Sequence, residues 1–161
     1  MPVTALIAIL LMAAPEMIPA GDADLLGHSA PDVTLKMADG KTTKLSALKG
    51  RPVVLSFWAS WCGPCRKELP ALAVLAAKRS DVQFLAVNVD RDRAPAEKFL
   101  KELKLPLPIA FDPDSSVVSQ FEVVVMPTMF MVDKNGTVKF RKTGFSAEKG
   151  LAELIAALDA K

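Results

Sequence analysis

Val53-Val54-Leu55-Ser56-Phe57-Trp58-Ala59-Ser60-Trp61-Cys62-Gly63-Pro64-Cys65-Arg66-Lys67-Glu68-Leu69-Pro70 reads as a strand running into a helix, with the chain's only two cysteines at the junction. Val53 to Trp58 is a short run, apolar but for Ser56 and opened by Pro52, as expected of a strand buried on both faces of a sheet. Downstream, Leu69, Leu72, Leu75 and Ala76 recur at helical spacing, with Pro70 expected to kink the helix. The cysteines are spaced C-x-x-C, which places both sulfurs in the first turn of that helix and within reach of a disulfide. Such a pair can cycle between dithiol and disulfide and exchange two electrons with another protein.

The position matters as much as the spacing. Thiolate, not thiol, attacks a disulfide, and the unpaired N–H groups and partial positive charge of a helix N-terminus favour thiolate. Cys62, the outer residue, is assigned as the attacking nucleophile, and Cys65, one turn in, as the residue that resolves the mixed disulfide. Pro64 suits a helix's first turn, where its missing N–H costs nothing. Gly63 keeps the surface flat for a protein substrate, and Trp61 and Trp58 supply an apolar rim and support. As a structural staple the pair would close a tiny loop and hardly restrict the unfolded chain. A zinc site would want four ligands, yet there is no second C-x-x-C and the sole histidine, His28, lies far upstream. No metal and no cofactor are expected.

Outward from this centre the pattern is that of one α/β domain. Upstream, Val33–Met37, the Asp39-Gly40 turn and Thr42–Leu45 predict a β-hairpin. Downstream come a buried strand at Val82–Val89 and a helix with Pro95 at its first position. A short strand within Leu105–Phe111 and a short helix over Ser115–Phe121 follow. Met129–Val132, the Lys134-Asn135-Gly136 turn and Val138–Lys142 predict a second hairpin. The last helix, expected to be capped by Ser146, carries the stripe Leu151, Leu154, Ile155 and Leu158. The implied fold is a central mixed sheet with helices on both faces and the cysteines at a strand's C-terminal end, where open α/β sheets place their sites.

The 161 residues are 51% hydrophobic, enough for a sizeable core, and the net charge of +2 is dispersed. No basic block interleaved with aromatics suggests nucleic acid. Val3–Ala14 is almost wholly apolar and is ended by Pro15, Glu16 and Pro19. It is shorter than the about 20 residues of a membrane-spanning helix and fits the core of an export signal, although no Lys or Arg precedes it. Residues 1–23 are therefore expected to be a signal peptide or N-terminal anchor, with cleavage after Ala23 or Ala20.

Residues 30–160 resemble the TlpA/ResA-type branch of the thioredoxin family, exported thiol–disulfide oxidoreductases. The resemblance rests on the Phe57–Pro70 stretch, joined by Val87-Asn88-Val89-Asp90, Phe111-Asp112-Pro113-Asp114 and Val123-Val124-Val125-Met126-Pro127-Thr128. It implies a thioredoxin-like domain over residues 24–161, with an N-terminal β-hairpin and an inserted helix–strand unit over about Ala94–Phe121. It further implies that Pro127 is a cis-proline facing the cysteines and exposing the Met126 backbone to an extended substrate. Trp61, Gly63, Pro64, Met126 and Pro127 are then the expected substrate-binding residues.

One position departs from the pattern. Thioredoxins carry a buried Asp where this chain has Ser56. Relatives of the ResA type place an acid near the end of the next strand, which makes Asp90 the candidate for handling the resolving cysteine's proton, with Asp92 behind it. Glu68 reads as a solvated helix residue. The resemblance implies reduction of protein disulfides in the periplasm or another extracytoplasmic space, with apocytochromes of c-type maturation as one candidate substrate. Its implied partners are disulfide substrates and an upstream thiol donor, which a membrane protein can supply; a monomer is expected. Two alternatives compete. A thiol peroxidase needs Thr or Ser where Ala59 stands. A Cu(I)-handling or chaperone module would use Met126, Met129 and Met131 as soft ligands, residues more simply read as core and groove.

Overall fold

The computed structural model describes residues 25–146 and 149–160. The expected signal or anchor over residues 1–23 lies outside the described residues. Among those described, no helix is long and apolar enough to cross a membrane.

Seven strands form one sheet: β1 (Thr34–Met37), β2 (Thr42–Lys44), β3 (Val53–Trp58), β4 (Gln83–Asn88), β5 (Ile109–Phe111), β6 (Thr128–Val132) and β7 (Val138–Thr143), in the spatial order β2-β1-β5-β4-β3-β6-β7. β3, β4 and β5 run parallel; the pairs β1–β2, β1–β5, β3–β6 and β6–β7 are antiparallel. Among the described residues four α-helices flank the sheet: α1 (Cys65–Lys78), α2 (Arg93–Leu103), α3 (Ser116–Gln120) and, after the last strand, α4 (Gly150–Asp159). This is the mixed, helix-flanked sheet that the sequence pattern predicts.

The central strand β3 is buried along its whole length, so both of its faces carry core. Val54 and Trp58 meet Leu69 and Leu72 of α1, Phe99 of α2 and Leu154 of α4 on one face. Leu55 and Phe57 meet Val117, Phe121 and Phe130 on the other. Phe57, Phe121 and Phe130 form an aromatic knot with centroid separations of 5.1–5.9 Å, tilted or edge-on as ring quadrupoles prefer. The short helix α3 is held by Asp112. This buried carboxylate accepts the N–H groups of Val117 and Val118 and the hydroxyl of Ser116, satisfying orphan donors of the helix's first turn.

Three local expectations need correction. α2 begins at Arg93, because the Asp92 side chain caps it by accepting the Ala94 N–H, so Pro95 falls at the third position. That is still within the turn whose N–H groups need no helical partner. α4 begins at Gly150 with Lys149 before it and no side-chain cap, which leaves Ser146 outside the helix. Cys62 precedes α1 rather than lying in its first turn, and Cys65 is the helix's first residue.

Candidate active site

The site is built where β3 ends. The chain leaves Trp58, turns through Ala59–Trp61, and the Cys62 N–H donates back to the Ala59 carbonyl at 3.1 Å. The carbonyls of Gly63 and Pro64 already accept from Arg66, Lys67 and Glu68, so helical bonding starts inside the cysteine loop. The two cysteines are joined in a disulfide with a Cα–Cα distance of 5.4 Å. Cys62 is 4% exposed and Cys65 fully buried. The Cys65 N–H, the first of the helix, donates to the Cys62 sulfur at 3.3 Å. A donor aimed at that atom, at the positive end of α1, favours charge on the outer sulfur once the disulfide opens.

The rest of the surface follows the neighbouring strand. The Met126–Pro127 peptide bond is cis. Thr128 pairs with Phe57, so Pro127 lies at the end of β6 beside the strand that delivers the cysteines. The Pro127 carbonyl accepts from the Gly144 N–H at 2.7 Å and the Val125 carbonyl from the Thr128 hydroxyl at 2.7 Å. Met126 between them pairs neither backbone group with any described residue. Its half-buried side chain packs against the cluster that holds both cysteines. Trp61 stands 73% exposed, and Gly63 and Pro64 border a groove of about 440 Å³ with Lys67 and Phe145. Met129 and Met131 are buried core residues of β6.

Asp90 is buried at the end of β4 on the cysteine side of the sheet. One of its oxygens accepts both the Ser60 N–H and the Asn88 side-chain amide at 3.0 Å. It thereby ties the turn before Cys62 to the adjacent strand. Asp92 is spent on capping α2.

The residue misread from sequence is Glu68. It is fully buried, not solvated. Cys65, Glu68, Leu69, Leu72 and Leu75 form a single buried stripe of α1, and Glu68 sits one turn after Cys65 within it. Its Oε1 accepts the Ser56 hydroxyl at 2.5 Å and its Oε2 has no partner among the described residues. Burial raises its carboxyl to about 7, against a smaller lowering by the Ser56 hydrogen bond. The polar break at Ser56 and the carboxylate at Glu68 are therefore two halves of one buried pair. A hydroxyl in an otherwise apolar buried strand demands a partner, and that demand is the signal that was present in the sequence.

The Redoxin family model matches residues 25–157. The thiol-disulfide oxidoreductase ResA of Geobacillus kaustophilus is 39% identical over 121 residues, covering 74% of this chain and 70% of that protein. ResA of Bacillus subtilis is 36% identical over 124 residues, covering 76% and 69%. A solved Chlorobium tepidum structure, described as a candidate thiol:disulfide interchange protein DsbE, superposes with a TM-score of 0.76 at 40% identity over 83% of this chain and 97% of that one. StoA of Bacillus subtilis superposes with a TM-score of 0.63 at 28% identity, covering 73% and 91%. A buried acid beside a C-x-x-C disulfide at a helix N-terminus is chemistry suited to thiol–disulfide exchange, and by sequence and fold alike the chain belongs to the Redoxin family, as a TlpA/ResA-type, thioredoxin-like thiol–disulfide oxidoreductase.

Proposed function

We propose that this oxidoreductase works outside the cytoplasm as a reductant of protein disulfides, with Cys62 as nucleophile, Cys65 as resolving thiol and Glu68 as the group that takes the resolving proton. The observation that carries the mechanism is the buried Glu68 carboxyl, one turn from Cys65 and raised to about 7. A base poised near neutrality is what proton transfer from a thiol requires. The proton-handling role expected of Asp90 passes to Glu68, and Asp90 holds the loop through the Ser60 N–H.

The cycle starts from the dithiol. The Cys62 thiolate attacks one sulfur of a substrate disulfide; that bond breaks, and the released substrate thiolate takes a proton from water. Cys65 then gives its proton to Glu68, and its thiolate attacks Cys62 Sγ. The mixed disulfide breaks, the second substrate thiolate leaves and is protonated by water, and Glu68 returns its proton to solvent. Two electrons have moved from enzyme to substrate, and an upstream dithiol must return them. Met126 supports substrate binding, since its unpaired N–H and C=O can add an extended segment in the manner of a β-strand. Trp61, Gly63 and Pro64 supply apolar and flat surface beside it.

The apolar Val3–Ala14 run supports export. The resemblance to the TlpA/ResA branch and the Gly63-Pro64 dipeptide, which resembles that of reducing thioredoxin, support the reducing direction. Oxidised apocytochromes of c-type maturation are the substrates we favour.

Trapping tests the assignment. Cys65→Ser is expected to accumulate mixed disulfides through Cys62, to be identified by mass spectrometry; accumulation by Cys62→Ser instead would reverse the roles. A midpoint potential close to the about −270 mV of thioredoxin fits a reductant, whereas one close to the about −120 mV of DsbA would make the protein an oxidant.

A further inference from the structure

We propose that Ser56 is a positioning residue for the exchange reaction: its hydroxyl holds the Glu68 carboxylate and sets the pH at which that group can accept the Cys65 proton. The inference rests on the reading of Glu68 as the proton acceptor.

The geometry isolates the pair. Apart from the indole N–H of Trp58, which finds no partner among the described residues, Ser56 is the one polar side chain in a strand buried throughout, and it faces α1 between Val54 and Trp58. Its cross-strand neighbours, Ala86 on β4 and Met129 on β6, bring no charge and no N–H or O–H donor. The hydroxyl is the only hydrogen-bond partner of the carboxylate among the described residues, so one O–H stands in for the water that burial has removed.

The charges on the surrounding elements are engaged elsewhere or point outward. On α1, Arg66 lies over the Phe99 ring and pairs with Glu102 of α2, and Lys67 is exposed beside Pro64. On α4, Glu153 pairs with Lys142 of β7. Asp90, at the end of β4, is bound to Ser60 and Asn88. None of them offsets the burial of Glu68; Ser56 alone does.

The consequence is directional. A hydrogen bond donated to a carboxylate favours its charged, proton-accepting form. Without the hydroxyl, both carboxylate oxygens are buried unpaired, the acid holds its proton to higher pH, and at neutral pH less of it can act as a base.

The test follows closure of the Cys62–Cys65 disulfide in single turnover. The reduced full-length protein is mixed with a disulfide-bonded peptide between about pH 5 and about pH 9, spanning the range in which a base near neutrality titrates. Wild type is expected to show an inflection near the Glu68 value of about 7. Ser56→Ala is expected to move it upward by about one pH unit, the scale of a hydrogen bond to a charged group. Ser56→Thr, which keeps the hydroxyl, should restore it, and the isosteric Ser56→Val should shift it like alanine. Glu68→Gln should abolish the inflection, and Ser56→Ala added to Glu68→Gln should change nothing further.

An unmoved inflection in both Ser56→Ala and Ser56→Val overturns the role of Ser56 and leaves that of Glu68 standing. Survival of the inflection in Glu68→Gln overturns both. Infrared titration of the Glu68 carboxyl in the oxidised protein reads the same midpoint without turnover. The Thr/Val pair gives that comparison at constant shape should the alanine variant fold poorly.

Discussion

Glu68 is the residue at which single-residue reasoning and the folded chain part company. A glutamate on an amphipathic helix is usually solvated, and two cations, Arg66 and Lys67, stand just before it. The helical stripe gives the other answer: Glu68 is three residues after Cys65 and four before Leu72, both buried. The tryptophans differ in the same way. Trp58 is buried against Phe99 at 4.8 Å and shares a core cluster with both cysteines, whereas Trp61 is largely in solvent. We therefore predict that intrinsic fluorescence changes when the disulfide is reduced and that Trp58 reports it. Trp61→Phe should keep most of the redox-linked change and Trp58→Phe should lose it; the opposite pattern in a reduction titration would relocate the reporter.

At the scale of elements, the sequence was most legible where periodicity was strong. β3, β4 and the two hairpins stand within a residue or two of their expected bounds, because buried runs and turn glycines encode them directly. Helix starts were less legible, since they depend on which polar side chain reaches an unpaired N–H. Asp92 takes α2, and Lys149 before α4 makes no side-chain cap. α3 is too short to persist on its own and depends on Asp112 from the preceding loop. Asp112→Ala is accordingly expected to cost about 2–3 kcal/mol, the scale of lost charge-assisted hydrogen bonds plus unpaired buried donors. Urea denaturation measures this, and disulfide exchange per folded molecule should change little. For α1 the prediction is chemical. Its N-terminus faces Cys62, so in the reduced protein iodoacetamide at about pH 6, below the ordinary cysteine range, should alkylate Cys62 well before Cys65. Equal rates would remove the helix from the mechanism.

For the whole molecule, the buried acid links stability to pH. Glu68 has an ordinary value of 4.5 and is raised to about 7 in the fold. Between those values the folded chain binds more protons than the unfolded one, so stability falls as pH rises across that window and levels off above it. The span corresponds to about 3 kcal/mol, and Glu68→Gln should flatten it. Urea midpoints of the oxidised protein measured across the window check both statements. The architecture that creates this liability was legible from the order of strands and helices. The liability itself was not, because it arises from the burial of Glu68 where α1 packs on β3, which neither element announces alone.

The N–H and C=O of Met126, unpaired among the described residues and bracketed by carbonyls that the protein keeps for itself, bear on how the proposed substrates would dock. Under the proposed binding mode, one residue's worth of open backbone would favour a single alignment of a visiting chain through main-chain hydrogen bonds. If substrates dock there as proposed, they would be selected by whether the polypeptide around their cysteine can straighten. On the proposed function, a cysteine locked within a helix would be disfavoured there, whereas one in a still unfolded segment would fit.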